Sequence, residues 1–152
     1  MTGNFICNTP EQTFDLGEKF SRDLRGGDVI LLAGELGAGK TLFAKGILHG
    51  LGYDADEVTS PSFTLVNLYK TNDLDVYHID LWRLDAMSNA SDAVGLDEIL
   101  EDPKAVAIIE WSDRLASMPA AKRIIEISVS GDGDDPRVID VSVRDAPDRS
   151  GQ

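Results

Sequence analysis

Gly34-Glu35-Leu36-Gly37-Ala38-Gly39-Lys40-Thr41 sets glycines, a lysine and a hydroxyl in the spacing GxxxxGK[ST], the pattern of a phosphate-binding loop. Glycine is required because backbone N–H groups can converge on phosphate oxygens only where no Cβ blocks the approach. Lys40 would then reach the β- and γ-phosphates, and Thr41 would offer its hydroxyl to Mg²⁺. The segment that follows, residues 42–48, reads as a helix whose positive end points at the same anion. The apolar run 29–33 just before the motif reads as a buried strand. That strand, loop and helix order favours a nucleoside triphosphate site over a plain Gly-rich turn.

A phosphate loop works with an acidic residue at the C-terminal end of a hydrophobic strand, where it holds Mg²⁺ directly or through water. Glu110 ends the run 105–109 and Asp80 ends the run 74–79. Ligands gather beyond the carboxyl ends of strands in open α/β sheets, so both acids are catalytic candidates beside Lys40. Glu110, on the more apolar strand, is expected in the Mg²⁺ shell with Thr41. Asp80 is expected to position water or to make an outer hydrogen bond, and the sequence leaves that division open. His78 shares the face of Asp80 by alternation; it either reaches the nucleotide or sits hydrogen-bonded within the sheet. Trp82 and Trp111 follow the two acids closely, and for Trp82 packing is the preferred reading. Thr59-Ser60-Pro61-Ser62 lies where nucleotide-sensing switch segments occur, and reads equally well as a Pro-containing turn.

The elements that must hold these residues are legible in outline. Thr9-Pro10-Glu11-Gln12 opens a helix with a capping box and Pro at the first position; Phe14, Gly17, Phe20 and Leu24 share a face, and Gly26-Gly27 is the expected stop. After the second helix, Gly50 and Gly52 end the element. Residues 63–69 and 74–80 read as an antiparallel hairpin about Thr71-Asn72-Asp73, followed by a helical stretch near 92–100. The unbroken apolar run 105–109 reads as a central strand. Two alternating strands, 123–129 and 137–143, close the chain around the acidic turn 131–136, which lacks the downstream Gly and Glu of a calcium loop. Residues 1–144 are expected to form one domain and 145–152 a disordered tail.

Composition narrows the function classes. The 152-residue chain carries 27 acidic and 14 basic side chains, a formal net charge of −13, so its average surface repels a phosphate backbone. A role near nucleic acid would need a local basic patch or, the preferred reading, a protein partner that does the binding, so that the nucleic acid itself is met only indirectly. No apolar run approaches the ~20 residues of a membrane span and the N-terminus lacks a signal-peptide pattern, so the expectation is a cytoplasmic protein with no membrane partner. A single cysteine, Cys7, forms neither an internal disulfide nor a cysteine metal cage.

With the phosphate loop, Ser60-Pro61-Ser62-Phe63-Thr64-Leu65-Val66, His78-Ile79-Asp80-Leu81-Trp82-Arg83-Leu84 and Ile109-Glu110-Trp111 in this order, the chain resembles the TsaE (YjeE) family of bacterial P-loop ATPases. The resemblance implies an ATP- and Mg²⁺-dependent ATPase that acts with the TsaD and TsaB proteins in threonylcarbamoyl modification of tRNA adenosine 37. It implies an α/β P-loop NTPase fold with a central, mostly parallel sheet flanked by antiparallel strands and helices. Carried over, Leu36, Gly37, Ala38, Gly39, Lys40 and Thr41 are similar to the family's phosphate site, and Thr41 and Glu110 to its Mg²⁺ ligands. Asp80 resembles its proposed catalytic acid, Trp111 a functionally important aromatic, and the segment near Pro10 and Glu11 the part that approaches adenine. Ser62, Trp82, Ser112 and Leu42 depart from residues common in the family, and none of these changes removes a phosphate or metal ligand.

No arginine finger stands out beyond Arg83 and Arg114, so weak ATPase activity in isolation is expected. A small-molecule kinase would share the loop but needs an Arg-bearing lid, and no basic lid segment is visible. A GTPase would need an Asn-Lys-x-Asp segment, which is missing. A nucleotide-gated binding module, in which occupancy matters more than turnover, overlaps the favoured reading.

Overall fold

The computed structural model describes residues 2–34, 39–58, 66–81, 95–110, 121–131 and 134–145. Seven strands form one sheet: β1 (Gly3–Cys7), β2 (Asp28–Gly34), β3 (Val66–Lys70), β4 (Asp75–Asp80), β5 (Ala105–Glu110), β6 (Arg123–Ser130) and β7 (Arg137–Asp145). Their spatial order is β1-β7-β6-β2-β5-β4-β3. The central four, β6-β2-β5-β4, are parallel, while β3, β7 and β1 join antiparallel at the margins. This is the mixed sheet expected from the sequence, including the β3–β4 hairpin. β5 is buried at every position, which is why it reads as an unbroken apolar run: a parallel strand between two neighbours is covered on both faces.

Alternation sorts the strand residues onto two cores. Ile30, Leu32, Val76, Val106, Ile108, Ile125 and Ile127 pack with helix residues Phe20, Phe43 and Ile47; Val29, Leu31, Ile79, Ala107 and Ile109 pack on the opposite face with Leu96 of the short helix α3 (Leu96–Glu101). The first face is covered by helices α1 (Pro10–Ser21) and α2 (Lys40–Gly50). Among the described residues no helix is long and apolar enough to cross a membrane.

Helix α1 begins where the sequence places it. The Thr9 hydroxyl accepts from the Gln12 N–H at 3.2 Å, while the Gln12 side chain reaches back one residue further than a strict capping box, to the Asn8 N–H at 2.7 Å. It ends earlier than expected, at Ser21 rather than at Gly26-Gly27. The N–H groups of Arg22, Asp23 and Leu24 each bond three residues back, so the last turn tightens and the helix unwinds before the glycines are reached. The buried stripe is Thr13, Leu16, Gly17 and Phe20, with Phe14 tilted against His49 at its margin.

The two helices meet backbone to backbone. A Cβ on Gly46 would lie 2.1 Å from the Phe14 carbonyl oxygen, and one on Gly17 would lie 2.4 Å from that of Phe43. This contact fixes how α2 lies over the sheet, and therefore where Lys40 and Thr41 at its first turn are held. Gly46→Ala gains helix propensity of about 1 kcal/mol but must push two backbones apart, an overpacking penalty of about 1–3 kcal/mol. The clash wins because neither partner atom is on a flexible side chain. We expect a melting midpoint several degrees below wild type by differential scanning calorimetry; an unchanged or raised midpoint would show that the helices are not held this close.

Candidate functional site

The register of the central strands assembles the site. Leu32 on β2 pairs with Glu110 on β5, and Glu110 pairs with Asp80 on β4, so β4 and β5 end level with one another while β2 runs two residues further, to Gly34. Along β4 the face toward α1 and α2 reads Val76, His78, Asp80; along β5 it reads Val106, Ile108, Glu110. Each strand thus ends in an acid, two residues short of the level at which the β2 chain leaves the sheet at Gly34 on its way to α2. The sequence places both acids at strand ends, and the parallel pairing brings them side by side on the face that carries Lys40.

Gly34 and Gly39 bracket the loop, with φ of +151° and +105°, conformations that side chains with a Cβ rarely adopt. Gly39 caps α2 without a side-chain hydrogen bond, and the first turn contains no acidic residue. Gly39 therefore brings no capping side chain to the N–H groups at the helix start, and no carboxylate in that turn repels an incoming anion. Of the expected phosphate-site residues, Gly39, Lys40 and Thr41 are placed at this helix start. Leu36, Gly37 and Ala38 lie outside the described residues, as do residues 59–62, Trp82, Arg83, Trp111, Ser112 and Arg114.

Glu110, Lys40 and His78 are linked. The Lys40 ammonium lies 3.6 Å from Glu110 Oε1, a charge contact longer than a hydrogen bond, and both side chains are buried. His78 Nε2 lies 2.6 Å from Glu110 Oε2. Burial alone would raise the Glu110 carboxyl; the hydrogen bond and attraction of His78, aided by the Lys40 ammonium, outweigh it and hold the group below its ordinary value of 4.5. Glu110 is therefore an anion at neutral pH. Asp80 is buried beside it. His78 is fully buried and bonded to Glu110, as the sheet-embedded alternative for it anticipated.

Because the folded-state carboxyl is depressed, Glu110 stabilises the fold above pH 4.5 and loses that contribution as pH falls through its lowered folded value. Stability that wild type holds over Glu110→Gln near neutrality should shrink progressively as pH drops below 4.5, as read from melting midpoints of both proteins across pH. A gap that is constant or widens on acidification would contradict the assignment.

A pocket of about 290 Å³ opens beside the start of α2. Cys7, Asn8, Thr9 and Pro10 form one wall, Thr13, Gly39 and Leu42 another, and Asp134, Asp135 and Arg137 from the β6–β7 hairpin a third. Gly39 belongs to the phosphate loop, but Thr9 reads as a helix cap and Asp134 and Asp135 as part of a solvated turn, so the sequence does not join these residues into one site. Pro10 alone stands among the residues anticipated near the base. The pocket exists because α1 and the hairpin converge on Gly39 from opposite sides.

The donor set suits a hard divalent cation. Thr41 would supply a hydroxyl and Glu110 an ionised carboxylate, both oxygen ligands of the kind Mg²⁺ prefers. Among the described residues no group of three or more His, Cys, Asp or Glu side chains forms an all-protein metal cage.

Residues 7–139 match the model of the family described as threonylcarbamoyl adenosine biosynthesis protein TsaE. The chain is 36% identical over 130 residues to the tRNA threonylcarbamoyladenosine biosynthesis protein TsaE of Bacillus subtilis, covering 86% of this chain and 78% of that one. It is 37% identical over 129 residues to the protein of the same name from Treponema pallidum, covering 84% and 93%. Among solved structures, Bacillus subtilis YdiB superposes with a TM-score of 0.71 at 30% identity, covering 93% of this chain and 84% of that chain.

Proposed function

The chain belongs to the TsaE family of threonylcarbamoyl adenosine biosynthesis proteins, and on that premise we propose that it binds and hydrolyses MgATP while acting with the TsaD and TsaB proteins in tRNA modification. The observation that carries this reading is the convergence of Lys40 and Glu110, with Asp80 beside Glu110, at the start of α2.

In this reading the loop from Gly34 to Thr41, including Leu36, Gly37, Ala38 and Gly39, receives the phosphates. The pocket between Pro10, Leu42 and the β6–β7 hairpin receives the nucleoside. Thr41 and Glu110 hold Mg²⁺, which when bound neutralises charge on the β- and γ-phosphates. Lys40 leaves Glu110 and turns to the γ-phosphate, stabilising charge there without having to shed much water, because its ammonium is already buried. Asp80, one strand over from Glu110 and on the same face, accepts a hydrogen bond from the attacking water and orients it. Catalysis here is placement and charge neutralisation, and the partner proteins complete a site that turns over slowly by itself.

The test is phosphate release from MgATP by this chain alone and after addition of cognate TsaD and TsaB. Release that is slow alone and rises severalfold with the partners supports the proposal. Fast release indifferent to the partners would point to an independent ATPase or kinase instead.

A further inference from the structure

The two oxygens of Glu110 have different neighbours: His78 Nε2 at 2.6 Å on Oε2 and the Lys40 ammonium at 3.6 Å on Oε1. An ionised carboxylate only accepts, so the short contact requires a proton on His78 Nε2. The other ring nitrogen, Nδ1, is buried with no hydrogen-bond partner among the described residues. An imidazole kept only for packing would be better replaced by an apolar side chain, because a buried polar atom without a partner costs about 1–3 kcal/mol. What the ring has against that penalty is its bond to Glu110.

We infer that His78 is a positioning residue for the divalent cation: its Nε2–H holds Glu110 Oε2 so that Oε1 stays turned toward the start of α2. The inference rests on the reading of Glu110 as a Mg²⁺ ligand. His78 lies two residues before Asp80 on the same face, one layer back from the strand end, and is wholly buried. From there it acts through Glu110. When nucleotide draws Lys40 away, His78 is the contact that still fixes the carboxylate. Residues that hold a metal-binding carboxylate or imidazole from behind typically change metal affinity about 10–100-fold when removed.

The chain has two histidines, and the other, His49, is exposed beside Glu18, so ¹⁵N labelling at histidine alone gives one separable pair of ring-nitrogen signals for each imidazole. With wild-type protein saturated by a non-hydrolysable ATP analogue in chelator, titration with Mg²⁺ should move the His78 signal and leave that of His49 in place. A His78 signal that stays still to saturation overturns the inference. Binding of a fluorescent ATP analogue gives the second arm. His78→Leu should raise the Mg²⁺ needed for half-saturation by about 10-fold or more, while His78→Gln, which keeps a donor, stays within about 3-fold of wild type. Neither should change affinity measured without Mg²⁺. An unmoved midpoint in His78→Leu, or an equal rise in both variants, overturns the inference; if His78→Leu fails to fold, the wild-type titration decides. Glu110→Gln separates the two layers. If it leaves the Mg²⁺ midpoint unchanged, the metal reading falls and the inference with it; if it shifts the midpoint and His78→Leu does not, only the role of His78 is lost.

Discussion

Lys40→Ala is expected to lower MgATP turnover about 10²–10³-fold or to the level of a protein-free blank, the loss typical when one preorganised charge-stabilising donor is removed. Lys40 is buried at the first position of α2, and its ammonium lies 3.6 Å from Glu110 across the strand ends. Analogue binding should weaken in the presence and in the absence of Mg²⁺, because in the proposed site the ammonium contacts phosphate directly. The same change leaves the Glu110 anion with His78 as its hydrogen-bonding partner, so the melting midpoint should fall as well, by the equivalent of about 1–3 kcal/mol. Phosphate release and calorimetry on the purified variant separate the two effects. Turnover within threefold of wild type would remove Lys40 from the chemistry.

Glu110→Gln should cost a similar factor in turnover, about 10²–10³-fold, but with a different signature. The amide is close in shape to the carboxylate and its oxygen can still accept from His78, so the fold should survive. What disappears is the charge that would attract Mg²⁺. Analogue binding without Mg²⁺ should persist, while the gain in affinity that Mg²⁺ gives wild type should be lost. The comparison with Asp80→Asn settles which acid does which. If Asp80→Asn abolishes the Mg²⁺ effect and Glu110→Gln does not, the two roles assigned here are exchanged. Asp80 and Glu110 are register neighbours on adjacent parallel strands, so the exchange is a concrete alternative.

Much of this site is local in the chain and for that reason legible before any folding is considered. The phosphate loop is eight consecutive residues whose physical demands, no Cβ, a cation, a hydroxyl and a helix start, are met by residue type alone. Strands β4 and β5 are short apolar runs, each closed by an acid, and β5 is apolar throughout because both its faces are covered. The end of α1 was less legible: the glycines at 26 and 27 draw the eye, but the helix had already tightened and stopped at Ser21.

By itself, then, the sequence determined the phosphate loop, its flanking strand and helix, the two candidate acids and the family to which the chain belongs. It also named His78 as a residue with two possible environments. Only the tertiary structure chose between them, because the bond from His78 to Glu110 joins residues 32 apart and depends on β4 lying parallel to β5 in one register. The pocket proposed for the nucleoside is likewise a product of folding, with walls drawn from residues 7–13, 39–42 and 134–137. The physical reason is the same in both cases. Backbone geometry and side-chain type act within a few residues, whereas strand register and helix crossing bring together groups that share no local pattern.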